Sequence, residues 1–208
     1  MKNISIIYIG SFCLILSILS FFNIIYSYYF NLYLNIDAYI YTLFISLLFG
    51  SIIFIKKKSE IKVTIYQKII TVFAGYLFLP IIIALPYFLS IYNISFLDCY
   101  FEAISGFTST GFSIFDNIKH LDQSLILWRS TSQWVGGIYF LFSIILLIDI
   151  FDVTLKKSFT EFTSFNLLET LKQYLKIVSI YSILTLLIFI LLTLIDLRVF
   201  DSFNLSLS

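Results

Sequence analysis

Residues 101–112 read FEAISGFTSTGF, and this stretch decides the fold. An apolar run ends there in a cluster of Thr, Ser, Thr and Gly, and a membrane-length apolar segment lies on each side of it. Inside a bilayer, non-helical backbone is tolerated only where protein buries it or a water-filled cavity meets it. The pattern therefore predicts a hairpin that enters the membrane part-way, breaks at the Thr/Gly cluster and returns to the same side.

The composition is that of an integral membrane protein. The 208-residue chain is 60% hydrophobic, 20% aromatic and 12% charged, whereas a soluble domain is about a quarter charged. A net charge of +1 with no basic stripe predicts no nucleic-acid partner. Two cysteines, Cys13 and Cys99, are too few for a disulfide framework.

Five apolar stretches are long enough to cross a bilayer, since a span needs about 20 residues at about 1.5 Å each. The first is too long for the apolar region of a signal peptide, so we interpret it as a retained helix. Pro80 and Pro86 predict a kink in the outer half of the third. The predicted spans are 4–30, 38–55, 67–92, 124–150 and 174–195.

The placement of lysine and arginine predicts a multi-pass membrane protein with a cytoplasmic N-terminus, and we expect that membrane to be the inner (plasma) membrane. In that orientation the inner side holds Lys2, five basic residues within 56–68 and four within 156–176, and only three of the 13 lie outside. Seven acidic residues share the outer side with those three. They predict either an electronegative mouth that concentrates cations or ordinary solvated loop charge.

The segment 93–123 then leaves from the outer face and must return to it. Its first half predicts a short helix from Ser95 to Phe107, capped by Ser95 with Asp98 three residues on. Such a helix is about 20 Å long, so it reaches into the bilayer without crossing it. Its partly negative C-terminal end points toward the membrane centre, where it favours a cation.

The residues after that helix have the parts of an ion-selectivity filter, in which backbone carbonyls replace the hydration shell of an ion. Gly111 permits backbone angles that other residues resist, and we expect Phe112 to wedge against neighbouring helices. The alternative is a surface turn between two helices, of which Ser/Thr/Gly clusters are typical. The candidate filter residues are Thr108, Ser109, Thr110, Gly111 and Phe112.

Two charged residues are candidates for supporting this segment. Glu102 lies in the predicted short helix, where a carboxylate either has a task or is solvated in an outer vestibule. Arg129 follows Trp128 at the start of the next span. It either snorkels to the interface beside an aromatic-belt residue or bonds behind the filter to Glu102. Gly136 and Gly137 permit close approach to the short helix.

The run FEAISGFTSTGF at 101–112, followed by LWRSTSQWVGG at 127–137, resembles the first pore repeat of the Trk/Ktr/HKT superfamily of potassium transporters, nearest to its Trk-type membrane subunit. Members of that family fold four helix–pore loop–helix repeats around one pore, and the Trk branch adds two helices in front. LLETLKQYLKI at 167–177 resembles the inner loop that leads into the second repeat.

The resemblance implies an all-α integral membrane fold with three parts. Residues 1–62 form two N-terminal transmembrane helices, and residues 63–152 form the first complete helix–pore loop–helix repeat. Residues 153–208 form a cytoplasmic loop, the first helix of the second repeat and an incomplete pore helix.

The resemblance also implies a function, that of part of a potassium-uptake pore subunit. Potassium, the cargo, is held at Thr110 and Gly111, and Glu102 and Arg129 support the filter; no cofactor is expected. Implied partners are the lipid bilayer, a cytosolic nucleotide-binding regulatory subunit near 151–172, and a second copy in full-length homodimers. Such a pore is not an enzyme. An inert or degenerate membrane fragment remains an alternative, and so does a membrane enzyme, although no HExxH, GxSxG or P-loop motif occurs.

An internal comparison indicates a second repeat. Residues 98–105 line up with residues 201–208 at an offset of 103, with Asp, an aromatic residue and Ser recurring in register. The chain therefore resembles an N-terminal fragment, a truncated reading frame or one part of a split gene. We expect it to be inactive alone, because one repeat supplies about a quarter of a ring of carbonyls.

Overall fold

The computed structural model describes residues 4–55, 65–147 and 167–208, and all regular secondary structure within them is helical. These residues form two compact units, Met1–Gly137 and Ile138–Ser208. The basic residues within 56–62 and 156–157, which carry much of the orientation prediction, lie outside the described residues. The helices are α1 (Ile4–Tyr29), α2 (Ile36–Ile55), α3 (Ile65–Phe88), α4 (Phe96–Phe107), α5 (Gln123–Leu147), α6 (Leu167–Leu194) and α7 (Val199–Leu207).

Four of the predicted spans, α1, α2, α3 and α6, are long and apolar enough to cross a membrane. The fifth, α5, is helical as predicted, but it is not among those four within the described residues. Its first half carries Arg129, and Ser124, Ser132 and Gln133 there are buried. Those polar side chains face protein, which explains why α5 is less apolar than a helix surrounded by lipid.

Within the described residues, two helix boundaries differ from the prediction by four residues or more. α3 ends at Phe88, four residues early, and it runs without interruption through Pro80 and Pro86, whose predicted kink stays a prediction. α6 begins at Leu167, so the segment 167–177 is helical rather than a loop. That segment consists mostly of strong helix formers and contains neither Gly nor Pro, so the helix continues beyond its apolar part.

The first unit is built on close contact between α1 and α2. A Cβ placed on Gly50 would lie 3.3 Å from the Gly10 carbonyl oxygen and 2.7 Å from Leu14, and one on Gly10 would lie 2.7 Å from Ile53. Small residues let membrane helices approach to backbone contact in this way. α3 packs against α1, α2 and α4. The largest fully buried apolar side chains include Phe12, Leu16, Tyr39, Leu79, Ile83, Phe107 and Trp128.

The second unit contains α6 packed with α7, and α7 repeats the start of α4 at the predicted offset of 103. A left-handed residue precedes each helix, Asn93 with φ +50° and Asp196 with φ +60°. In each helix the side chain of the fourth residue donates to the carbonyl five residues earlier. Cys99 Sγ donates to the Ile94 carbonyl over 3.8 Å, and Ser202 Oγ donates to the Leu197 carbonyl over 3.5 Å. The internal repeat is therefore present in backbone geometry as well as in sequence.

Candidate ion-filter site

The short helix α4 brings the chain to the site. Ser95 caps it as predicted: its Oγ accepts from the Asp98 amide over 3.2 Å and donates to Asp98 Oδ2 over 2.7 Å. The helix ends at Phe107, where the amide of Thr108 makes a last bond to the Ile104 carbonyl over 2.9 Å. The prediction of a capped helix that stops at the Thr/Gly cluster is confirmed.

Residues 108–112, called the filter segment below, are not helical. Ser109 has φ +55° and Gly111 has φ +81°, both in the left-handed region that glycine adopts most readily. A Cβ on Gly111 would meet nothing within 4 Å, so backbone conformation rather than space favours glycine there. All five residues are exposed in the described chain.

Ser105, in the last turn of α4, holds the filter segment. Its carbonyl accepts from the Thr110 amide over 3.0 Å and from Thr110 Oγ1 over 3.1 Å. Its hydroxyl donates to the Phe112 carbonyl over 2.6 Å. This role of Ser105 was not predicted from the sequence, in which Ser105 served only to align the two repeats. The available signal was a hydroxyl in the last turn of a short helix that leads into a Thr/Gly break.

Most carbonyls of the filter segment lack a donor. Within residues 4–55, 65–147 and 167–208, no hydrogen bond reaches the main-chain oxygens of Thr108, Ser109, Thr110 or Gly111. The Phe112 carbonyl is the exception, because Ser105 occupies it. The side chain of Phe112 is 69% exposed, so the expectation that its ring wedges against helices is wrong for the described residues.

Glu102 joins three parts of the site from a buried position. Its side chain is 1% exposed; Oε1 accepts from Arg129 Nε over 2.6 Å, and Oε2 accepts from the Ile114 amide over 2.9 Å. Glu102 is therefore buried rather than solvated in a vestibule, and Arg129 is bonded to Glu102 rather than extended to the membrane interface. Charge-assisted bonds of this kind are strong, so Glu102 ties α4 to α5 and to the non-helical segment that follows the filter segment.

Helix α5 also contacts the C-terminal end of α4 directly. A Cβ on Gly136 would lie 2.8 Å from the Cα and 2.7 Å from the carbonyl carbon of Phe107, and closer still to its carbonyl oxygen. Trp128 is buried rather than in an aromatic belt, and its Nε1 donates to the Ile83 carbonyl over 3.0 Å. The close approach expected at Gly136 is confirmed.

A polar cluster that the sequence pattern did not predict attaches α1 and α2 to the start of α5. Asn23 Nδ2 donates to the Ser124 carbonyl over 3.2 Å, and the Tyr39 hydroxyl donates to Ser124 Oγ over 3.0 Å. Asn35 Nδ2 donates to Asp122 Oδ2 over 3.3 Å. The two leading helices therefore position the helix that carries Arg129.

Cys99, on the buried face of α4, has an unreactive thiol. Burial, and then the charge of Asp98, raises the pKa of the Cys99 thiol from 9.0 to about 11. The side chain is fully buried. At neutral pH very little thiolate, the nucleophilic form, is present.

Together, several apolar spans, a short capped helix, a left-handed break and a returning segment held by a buried ion pair define a multi-pass membrane protein. Residues 35–203 match the sequence profile of the TrkH family, described as cation transport protein. The chain belongs to this family.

Individual relatives agree. An uncharacterised cation transporter of Methanocaldococcus jannaschii is 28% identical over 110 residues, which are 52% of this chain and 23% of that protein. The Trk system potassium uptake protein TrkH of Escherichia coli is 31% identical over 104 residues, which are 48% of this chain and 21% of that protein. The chain thus spans about a fifth of the length of these curated relatives.

A solved structure shares the fold. The crystal structure of the potassium transporter TrkH from Vibrio parahaemolyticus matches with a TM-score of 0.77 at 21% identity. The match covers 100% of this chain and 42% of that chain. At this identity the likeness shows the fold alone.

Proposed function

We propose that this chain supplies one filter-bearing repeat of a potassium-conducting pore. The observation that carries the proposal is the set of four main-chain oxygens, from Thr108 to Gly111, that have no donor among the described residues. The filter segment is exposed in the described chain, so these oxygens have room for a ligand, and a row of unpaired carbonyls at a helix end is what a dehydrated cation needs.

The position of these oxygens favours a cation in two ways. They follow the C-terminal end of α4, where the helix dipole is partly negative. The membrane potential then drives cation entry, since moving one charge across 100 mV is worth about 2.3 kcal/mol. Uptake through such a pore needs selection and a driving force but no catalytic residue.

Glu102 acts as support rather than as an ion ligand in this proposal. Both carboxylate oxygens are already occupied, one by Arg129 and the other by the Ile114 amide. The pair has no net charge, so the cation is selected by the carbonyls around Thr110 and Gly111. Glu102 holds the returning segment at Ile114 at a fixed distance from α4.

We further propose the N-in orientation, which places the basic loops on the cytoplasmic side of the plasma membrane. A cytosolic nucleotide-binding subunit is the proposed regulatory partner there, and a second copy is the proposed partner within the bilayer. Both partners are those that the family resemblance implies; Lys156 and Lys157, in the loop proposed to meet the regulator, lie outside the described residues.

The test uses a chimaera in which residues 95–115 replace the aligned segment of E. coli TrkH, expressed in bacteria that lack their own potassium uptake. We expect growth on low potassium and a preference for potassium over sodium. The 208-residue chain expressed alone should not restore growth, because one repeat supplies about a quarter of the ring. A chimaera that reaches the membrane but does not distinguish the two ions would contradict the proposal.

A further inference from the structure

We infer that Ser105 is a positioning residue of the filter. Through its hydrogen bonds, Ser105 determines which oxygen atoms of this repeat remain available to bind the ion. The inference rests on the proposed function and adds a residue to it. Ser105 removes the Phe112 carbonyl and the Thr110 hydroxyl from the set of possible ligands. The main-chain oxygens from Thr108 to Gly111 remain.

The hydrogen bonds account for every donor involved. A serine hydroxyl has one proton, and Ser105 gives it to the Phe112 carbonyl over 2.6 Å. The Thr110 hydroxyl lies 3.1 Å from the Ser105 carbonyl oxygen, 3.1 Å from Ser105 Oγ and 3.4 Å from Thr108 Oγ1. The nearby Thr108 hydroxyl bonds to the Ile104 carbonyl over 2.7 Å. The threonine side chains are thus turned back to α4.

Burial makes these bonds persistent. Ser105 is 3% exposed, whereas the filter segment that it holds is exposed. Water competes poorly for a buried hydroxyl, and breaking the bond leaves a buried polar group unsatisfied. Ser105 therefore anchors the far end of a segment whose other end is fixed by the helix.

The second repeat carries the same residue type at the equivalent place. The offset of 103 that aligns Asn93 with Asp196 and Cys99 with Ser202 also aligns Ser105 with Ser208. The same offset aligns Glu102 with Leu205, so the carboxylate is not repeated. Of the two residues that hold the filter segment, the serine is the one whose type recurs.

The bond can be measured in the full 208-residue chain in lipid nanodiscs by NMR. With ¹³C-carbonyl Phe and ¹⁵N-Ser labelling, two Phe–Ser pairs give signals, Phe112–Ser113 and Phe142–Ser143. We expect Ser105→Ala to shift the Phe112 carbonyl resonance upfield, as loss of a hydrogen bond does, and to leave the Phe142 resonance in place. An unmoved Phe112 resonance would overturn the inference.

Matched variants separate positioning from general loss of structure. Ser105→Thr keeps the hydroxyl and should keep the Phe112 resonance, whereas Ser105→Cys keeps the volume with a weaker donor and should give a smaller upfield shift. Ser132→Ala is the control, because Ser132 is 2% exposed and, among the described residues, its hydroxyl bonds to the Trp128 carbonyl of its own helix. If Ser105→Ala also shifts the Phe142 carbonyl resonance, the Ser105→Cys variant provides the test instead. A Phe112 carbonyl resonance that does not shift in Ser105→Cys would then refute the hydrogen bond.

The ion readout uses the same chimaera. Ser105→Ala should lower the potassium-to-sodium permeability ratio about fivefold, the equivalent of one hydrogen bond, and Ser105→Thr should restore it. An unchanged ratio in an otherwise potassium-selective chimaera overturns the positioning role. A parent chimaera without potassium preference refutes the proposed function itself, and the carbonyl resonance still reports whether the Ser105 bond exists.

Discussion

At the scale of single residues, two glycines of the site are required for different reasons. Gly111 lies in open space but has φ +81°, so a side chain there is opposed by the backbone. Gly136 lies in helix α5, and a side chain there is opposed by the main chain of Phe107. Substitutions at the two positions should therefore fail in different ways.

Gly136→Ala should destabilise the chain by about 1–3 kcal/mol, as overpacking does, because backbone atoms cannot move aside as a flexible side chain can. Thermal unfolding in detergent would measure it. Gly106→Ala is the matched control: its Cβ would lie 3.6 Å from Gln133, an ordinary contact, so it should be neutral or stabilising. Equal stabilities for the two variants would refute the packing argument.

Gly111→Ser, made in the chimaera, should relax the preference for potassium over sodium. A residue with a Cβ disfavours the left-handed conformation by about 1–2 kcal/mol, so the carbonyls around it are expected to reorient. Permeability ratios from reversal potentials would report the change. Ser109→Gly serves as the control, since Ser109 already has φ +55° and glycine adopts it without strain; an unchanged ratio for Gly111→Ser counts against the filter assignment.

Arg129→Met should cost about 3–5 kcal/mol, because it leaves the buried Glu102 carboxylate unpaired. Glu102→Gln combined with Arg129→Met should recover much of that loss, since glutamine can still accept from the Ile114 amide. Denaturant unfolding of the two single variants and the double variant measures the coupling. Independent, additive effects would mean that the ion pair does not hold the site together.

At the scale of elements, α4 and α7 are two versions of one short helix. The serine cap of α4 is replaced in α7 by Arg198, which pairs with Asp201 over 2.8 Å while its own side chain is 83% exposed. The two starts share backbone geometry but not chemistry. Their stabilities should therefore respond differently to the same kind of substitution.

Ser95→Ala should lower the free energy of unfolding by about 1 kcal/mol, the usual cost of losing a helix N-cap. The equivalent change in α7, Arg198→Ala, removes only an exposed pair and should cost well under about 1 kcal/mol. Hydrogen exchange of the α4 and α7 amides, measured separately during chemical unfolding, distinguishes the effects of the two substitutions. A larger effect at Arg198 than at Ser95 would contradict this ranking.

At the scale of the whole molecule, accessibility tests whether the filter segment is reached from outside. Both native cysteines are fully buried, and the pKa of the Cys99 thiol is raised to about 11, so the wild-type chain should react very little with maleimide. Phe112→Cys should react with a membrane-impermeant maleimide added outside, because residue 112 is exposed in the described chain. Raising the pH to about 9 should still leave Cys99 mostly protonated and unmodified. Labelling of Phe112→Cys from the cytoplasmic side alone would refute the proposed orientation.

The amino-acid sequence by itself determined the membrane class, four of the five predicted apolar spans, the capped short helix and its break at the Thr/Gly cluster. These follow from properties that add up locally along the chain, namely hydropathy, helix propensity and the conformational freedom of glycine. Only the tertiary structure decided which polar groups meet. Ser105 on the Phe112 carbonyl, Glu102 on Arg129 and Asn23 on Ser124 join residues 7, 27 and 101 positions apart. Buried polar groups need partners, but which partner each one finds depends on the helix faces that pack together, and hydropathy does not specify those faces.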